Sequence, residues 1–457
     1  MQFLSEKFFN EAVESLQRMI RIKSVEGKAK EGMPFGEGPL NALHEMLSIG
    51  KELGFRVYNH KNMAGHIEMG PDTDEYIGIV AHLDVVPEGS DWIYPPYGAE
   101  IHDGFMYGRG TVDDKGPAMA SLYAMKALKE LKVPLKRKVR LILGTNEETG
   151  SKGVEAYFQE FPAPFMGFTP DADFPAIFAE YGILTMKFCM PLKEGRMTIL
   201  ELKGGEAHNM VPDRATVLLK VQDQKETEKL LKSIDCEVPW DYAFEGKNLR
   251  INVIGVSAHG STPYMGKNAI SYLMKILSAF DEKELRFAGV YLDDFAFSDG
   301  GEKLGVDFED EISGHLRMNP GVIKLEDGRI QLVVNVRYPV TFKAADVVAK
   351  INENLTKDGF VMDREYSDSA PLYYPQESPL IQKLMKVYQH CTGDHNAKPI
   401  AVGGGTYARE TKNIVAFGPS FPGDEEVIHQ KNERISLSHY QKLIEIYTDA
   451  IGVLAKE

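Results

Sequence analysis

The clearest hydrophobic pattern along the chain is Tyr76-Ile77-Gly78-Ile79-Val80-Ala81, a short apolar run that stops at His82-Leu83-Asp84. A run of this length and β-branched content predicts a strand buried on both faces. Side chains alternate along a strand, so His82 and Asp84 leave it on one side with a single residue between them. A second apolar run over residues 139–145 leads straight into Asn146-Glu147-Glu148-Thr149-Gly150, and a third covers residues 414–417. Between the first two, GFMYGRGTVDDKG is a Gly-rich turn opening onto a helical pattern over residues 117–131. Further helices are expected at the amphipathic N-terminal stretch MQFLSEKFFNEAVESLQRMIRI, through Leu40, Leu43, Met46, Leu47 and Leu53, and over residues 381–390 and 437–455. Residues 88–103 read as a loop.

From about residue 184 the texture changes to alternating strands at 198–203, 216–221, 248–256, 329–337 and 360–366, with helices at 226–233, 267–280 and 344–355. The expected fold class is α/β: a mainly parallel-sheet catalytic domain over residues 1–180 and 373–457, interrupted by an α+β lid domain over residues 181–372 made of two ferredoxin-like units. Ligands of open parallel sheets bind beyond the carboxyl ends of the strands. His82, Asp84, Glu147 and Glu148 all fall at such ends.

A length of 457 residues is consistent with two cores. With 52 basic and 67 acidic residues the formal charge is −15, and no Lys/Arg cluster tracks a phosphate backbone, which argues against a nucleic-acid partner. No run approaches the ~18 apolar residues that cross a bilayer. Charged residues interrupt the apolar N-terminal pattern, against a signal peptide. The three cysteines, Cys189, Cys236 and Cys391, are far apart and form no CxxC, so a reducing cytoplasm is the expected setting.

Four further pieces bear on the chemistry. Asp113 and Asp114 sit in the Gly-rich turn, Glu147 and Glu148 are tandem, Asp171 lies in TPDADFP, and His429 lies in a loop near the C-terminus. Singly each has an ordinary reading: a helix cap, a solvated strand end, a Pro-Asp turn, a surface histidine. Together, two imidazoles and several carboxylates form the mixed N/O set that suits a pair of divalent ions such as Zn²⁺ or Mn²⁺. Tandem glutamates can divide the work, one ligating while its neighbour takes a proton from bound water.

The motifs HLDVVP, YGRGTVDDKG, GTNEETGS, TPDADFP and the late His429 resemble, in order and spacing, the dinuclear metallopeptidases that include aminoacylases, desuccinylases and carnosinases, and most of all the bacterial peptidase-V-type dipeptidases. The resemblance implies that Asp113 bridges two metals and is joined to Asp114 by a cis peptide. It implies that His82 and Asp171 complete one ion and Glu148 and His429 the other, that Asp84 orients His82, and that Glu147 is the general base. It also implies that His259 of SAHGSTP reaches the substrate carbonyl, and that Asn209, Arg337 and the GGGTYAR stretch, with Gly404 and Thr406, contact substrate. His259 as a helix cap and Arg337 in a structural ion pair remain open. Smaller relatives take the group corresponding to Asn209 from a dimer partner, so a monomer is expected.

The reading is therefore a cytoplasmic dipeptidase using two Zn²⁺ or Mn²⁺ ions, with Co²⁺ a further option, acting on dipeptides with no membrane or nucleic-acid partner. An N-acyl amino acid deacylase of the same family is the nearest rival. A non-catalytic metal- or peptide-binding protein on the same fold is the other.

Overall fold

The computed structural model describes residues 5–193 and 195–456, and the chain divides into two compact units. Among the described residues, the first comprises 5–178, 374–400 and 405–456, the second 179–193, 195–373 and 401–404. The helix expected at the N-terminus covers Glu6–Ile20 and is capped by the Ser5 hydroxyl, which accepts the Phe8 N–H. Residues 1–4 of that expectation lie outside the described part.

The first unit is built on a six-stranded sheet in the order Arg56–His60, Ala64–Met69, Lys138–Gly144, Tyr76–His82, Met166–Thr169, Ile414–Ala416. The first two pairings are antiparallel and the last three parallel. Every residue of Tyr76–His82 is buried, as a central strand covered on both faces requires. Alternation explains the layers. Ile67 faces Gly50 of the helix Glu37–Glu52, where an added Cβ would lie 2.7 Å from the Ile67 side chain. Its neighbour His66 points the other way, and its Nδ1 lies 2.9 Å from the Tyr157 hydroxyl of the helix Lys152–Glu160. The helix Lys115–Glu130 is buried almost all round and packs against Leu437–Ala455, whose buried Tyr440, Leu443, Ile444, Tyr447 and Ile451 follow the helical period.

The second unit contains one nine-stranded antiparallel sheet, running Trp240–Glu245, Asn248–Ile254, Arg214–Lys220, Thr198–Gly204, Arg317–Glu326, Arg329–Tyr338, Gly182–Pro191, Val361–Met362, with Ser367–Ser369 also pairing to Gly182–Pro191. The strand Thr198–Gly204 joins Arg317–Glu326, a strand not expected from the sequence, where Lys203 pairs with Lys324 and Gly204 with Ile323. Leu184, Met186, Phe188, Val217, Leu219, Ile251, Leu332, Val334 and Val336 are buried in a core shared with the helix Ala269–Ser278. Alternate positions are polar: the Thr216 hydroxyl donates to Asn252 at 2.9 Å, and the Asn252 amide to Asp241 at 2.8 Å.

Candidate metal centre

The carboxyl ends of the parallel strands gather the site in the first unit. His82 ends its strand fully buried. Its backbone N–H donates to Asp114 Oδ2 at 3.0 Å. Asp114 stands at the start of the helix Lys115–Glu130 but makes no side-chain capping bond there, so the cap reading fails for it. The Asp113–Asp114 peptide is cis.

His82 Nε2 lies 2.8 Å from Asp113 Oδ1 and 3.6 Å from Asp171 Oδ2. On the other side, His429 Nε2 lies 2.8 Å from Asp113 Oδ2 and 3.2 Å from Glu148 Oε1. The two oxygens of one carboxylate thus face two different imidazoles. Within His82, Asp113 and Asp171, and again within Asp113, Glu148 and His429, the potential ligand atoms lie within 4.8 Å of one another. This set of nitrogen and oxygen donors without thiolate fits divalent cations, with Asp113 common to both groups.

The Asp84 main chain lies nearer the His82 ring than the Asp84 carboxylate expected to orient it. His82 Nδ1 is 3.0 Å from the Asp84 backbone carbonyl and 3.6 Å from its carboxylate, so the nearer tautomer-fixing acceptor is the main chain. The Asp84 carboxylate instead accepts the N–H of Glu147 at 3.0 Å and of Glu148 at 3.1 Å. It therefore holds the tandem glutamates in a 3₁₀ turn, Glu147–Thr149, at the end of the neighbouring strand.

Crowding so many carboxylates in a buried space sets their protonation. Burial opposes the His429 imidazolium, but hydrogen bonds to Asp113 and Glu148 outweigh it and raise the group to about 11. His82 is likewise raised well above the ordinary range, burial being overcome by Asp171 and Asp113. Burial, reinforced by the Asp113 charge, pushes Glu148 up to about 7 and Asp171 to about 6. Burial also raises Glu147 well above the carboxylate range, with the charges of Asp171, Glu148 and Asp84 adding to it. Asp113 moves the opposite way: burial would raise it, yet the two imidazoles hold it far below. A site in which like charges strain against one another in this way is relieved by bound cations.

The second unit carries Asn209, His259, Arg337 and Gly404, whereas Thr406 belongs to the first. Asn209 and His259 sit in loops tied together, since the Gly260 N–H donates to the Asn209 carbonyl at 2.7 Å and Met210 bridges to His259. His259 Nδ1 lies 2.6 Å from the Ser261 hydroxyl and 3.4 Å from the Ser261 N–H. Arg337 is buried, with Nε donating to Asn335 Oδ1 at 2.9 Å and Nη1 to the Gly403 carbonyl at 2.8 Å. The Thr406 hydroxyl accepts the Ala408 N–H at 3.1 Å and caps the turn Tyr407–Arg409.

Tyr407 was not singled out from the sequence. It is fully buried, its ring stands edge-on to His82 with centroids 6.2 Å apart, and a Cβ on Gly144 would fall 2.0 Å from its hydroxyl. Arg109 and Glu433, a buried ion pair at 2.9 Å, also went unread.

The model of peptidase family M20/M25/M40 matches residues 78–452. The chain belongs to this peptidase family. It is 38% identical over 455 residues to the "Putative dipeptidase YtjP" of Bacillus subtilis (strain 168), covering 97% of each chain. A "Putative dipeptidase" of Staphylococcus epidermidis is 33% identical over 469 residues, covering 99% of this chain and 98% of that one. Among solved structures, human carnosine dipeptidase 1 aligns at a TM-score of 0.59 and 15% identity, over 100% of this chain and 99% of the other. That likeness establishes the shared α/β fold. The family is one of hydrolases acting on peptide bonds, and among the described residues no helix is long and apolar enough to cross a membrane.

Proposed function

We propose that this family member is a dipeptidase working with two divalent metal ions. The observation that carries the reading is Asp113, whose Oδ1 faces His82 and whose Oδ2 faces His429, each at 2.8 Å. In this reading His82 and Asp171 hold one ion, Glu148 and His429 the other, and Asp113 both. Two Zn²⁺ or Mn²⁺ ions, or Co²⁺ in their place, would supply Lewis acidity at these side chains.

Glu147, the general base that the family resemblance implies and a member of neither ligand group, would accept the proton of the attacking water and pass it to the leaving amine nitrogen. Asp84 serves it indirectly, through the N–H bonds that fix residues 147 and 148. His259 supplies a donor to the developing oxyanion. Its tautomer follows from Ser261: a backbone N–H can only donate, so Nδ1 is the acceptor and Nε2 carries the proton. Arg337, with backbone donors at Gly404 and Thr406, binds the substrate's terminal carboxylate, and Asn209 makes a further substrate contact. A carboxylate clasp of this kind favours dipeptides because it leaves no room for another residue.

The relatives described as dipeptidases support this substrate class over N-acyl amino acids. The three free cysteines suit a cytoplasmic enzyme, and with Asn209 in the same chain the enzyme acts as a monomer. The test is hydrolysis by metal-stripped protein resupplied with Zn²⁺, Mn²⁺ or Co²⁺, with dipeptides, a tripeptide and N-acetyl amino acids side by side. Metal-dependent cleavage confined to dipeptides is expected. Preference for the N-acetyl compounds would make the protein a deacylase, and no turnover with any metal would leave a binding protein.

A further inference from the structure

Asp113 and His429 are far apart in sequence, so something must set one against the other. Glu433, shortly after His429, is fully buried. Its Oε1 accepts the N–H groups of Gly110 at 3.1 Å, Val112 at 2.8 Å and Asp113 at 3.2 Å. Its Oε2 accepts the Gly110 N–H at 3.1 Å and Arg109 Nη1 at 2.9 Å. The Glu433 backbone carbonyl takes the Gly108 N–H at 2.9 Å. N–H groups converging on one point form an anion-binding nest, and here the anion is a side chain of the same protein. The nest needs Gly110, whose φ of +93° is one that side chains rarely adopt. Arg109 balances the charge from beneath, its guanidinium carbon 5.3 Å from the Trp92 ring.

We infer that Glu433 is a positioning residue for the metal pair: it fixes the main chain of Asp113 while anchoring the loop that carries His429. It belongs to neither ligand group and acts through the backbone. The inference rests on the two-metal reading. It extends that reading by saying why the shared carboxylate presents one oxygen to each half of the site. In Glu433→Gln the shape is kept, but one acceptor oxygen becomes an NH₂ facing N–H donors. Outer partners of metal ligands commonly change affinity by roughly 10- to 100-fold when altered, and the second ion should weaken by about that factor.

The experiment is Mn²⁺ titration of metal-stripped full-length protein followed by electron paramagnetic resonance, in which a carboxylate-bridged pair gives a spin-coupled spectrum distinct from that of isolated ions. Wild type and the base variant Glu147→Gln should both develop the coupled spectrum. Glu433→Gln should melt cooperatively yet show isolated Mn²⁺ at concentrations that saturate the wild type. A coupled spectrum at wild-type affinity in this variant would overturn the inference and leave Glu433 a purely structural residue, whatever happens to the melting temperature. If the Gln variant does not fold, Glu433→Asp carries the test: it keeps the charge but withdraws it by one methylene. Weakened second-ion binding is then expected, and unchanged binding refutes the role. A wild type that takes up one ion or none would show that the two-metal reading had failed first, and the inference falls with it.

Discussion

Each oxygen of Asp113 has a separate imidazole partner, and Glu147 belongs to neither potential ligand group, which is the geometry behind the proposed bridging and base roles. These two facts separate binding from catalysis by single substitutions. Glu147→Gln should lower kcat by about 10²- to 10⁴-fold, the range ascribed to positioned acid–base groups, while metal content stays at the wild-type level. Loss of both metals in that variant would make Glu147 a ligand instead. His259→Ala should lower kcat by roughly 10²- to 10³-fold, as removal of an oxyanion donor does, with little change in thermal stability because the ring is exposed. Unchanged kinetics would remove His259 from the mechanism. The nearness of His82, Asp113, Glu148, Asp171 and His429 was legible from side-chain types that announce metal chemistry at strand ends. Glu433 and Arg109 were not, because a buried carboxylate facing backbone N–H groups looks in sequence like any surface glutamate. The ring contact of Tyr407 with His82 was equally silent, since it depends on a close approach at Gly144.

That approach gives a prediction for the strand that ends at Gly144. In Gly144→Ala the new Cβ would meet the Tyr407 hydroxyl at 2.0 Å, and overpacking of this sort costs about 1–3 kcal/mol. Chemical denaturation should register the loss, and a double variant with Tyr407→Ala should be less destabilised than the sum of the two singles. Strict additivity would mean that the ring and the strand do not press on each other. The strands carrying the site were readable because continuous apolar runs admit few alternatives, and Leu437–Ala455 fell on its expected residues. Weaker signals misled. Residues 360–366 form a strand only over Val361–Met362; the Asp363 N–H still donates to the Lys187 carbonyl at 2.7 Å, and its carboxylate accepts the Arg364 N–H. Within the expected loop 88–103, Glu100–His102 forms a hairpin with Phe105–Tyr107 around Asp103-Gly104, both at positive φ, a turn signal that went unused. The helix Arg286–Asp294 was hidden by the low helix propensity of Gly289.

For the molecule as a whole, the proposed metal pair would compete with protons for the same atoms. Hydrogen bonds to Asp113 and Glu148 raise His429 to about 11 against the effect of burial, and burial raises Glu148 to about 7 and Asp171 to about 6. Ligation needs these groups deprotonated, so metal uptake expels protons and must strengthen as pH rises through neutrality. Calorimetric titration in buffers of different ionisation enthalpy should record proton release, and affinity independent of pH would contradict the assignment of ligands. The sequence changes from buried runs to alternating strands near residue 184, and the compact units meet along the chain at residues 178–179. The union of the second unit's strands into one sheet was not legible, because the pairing of Lys203 with Lys324 depends on an edge that no local pattern announces. The most direct test of the central claim is a crystal structure of the Zn²⁺- or Mn²⁺-loaded protein with anomalous scattering recorded at the metal edge. The account predicts two peaks, one between His82 and Asp171 and one between Glu148 and His429, both within ligand distance of Asp113. A single peak, or two peaks that leave Asp113 on one side only, would contradict it.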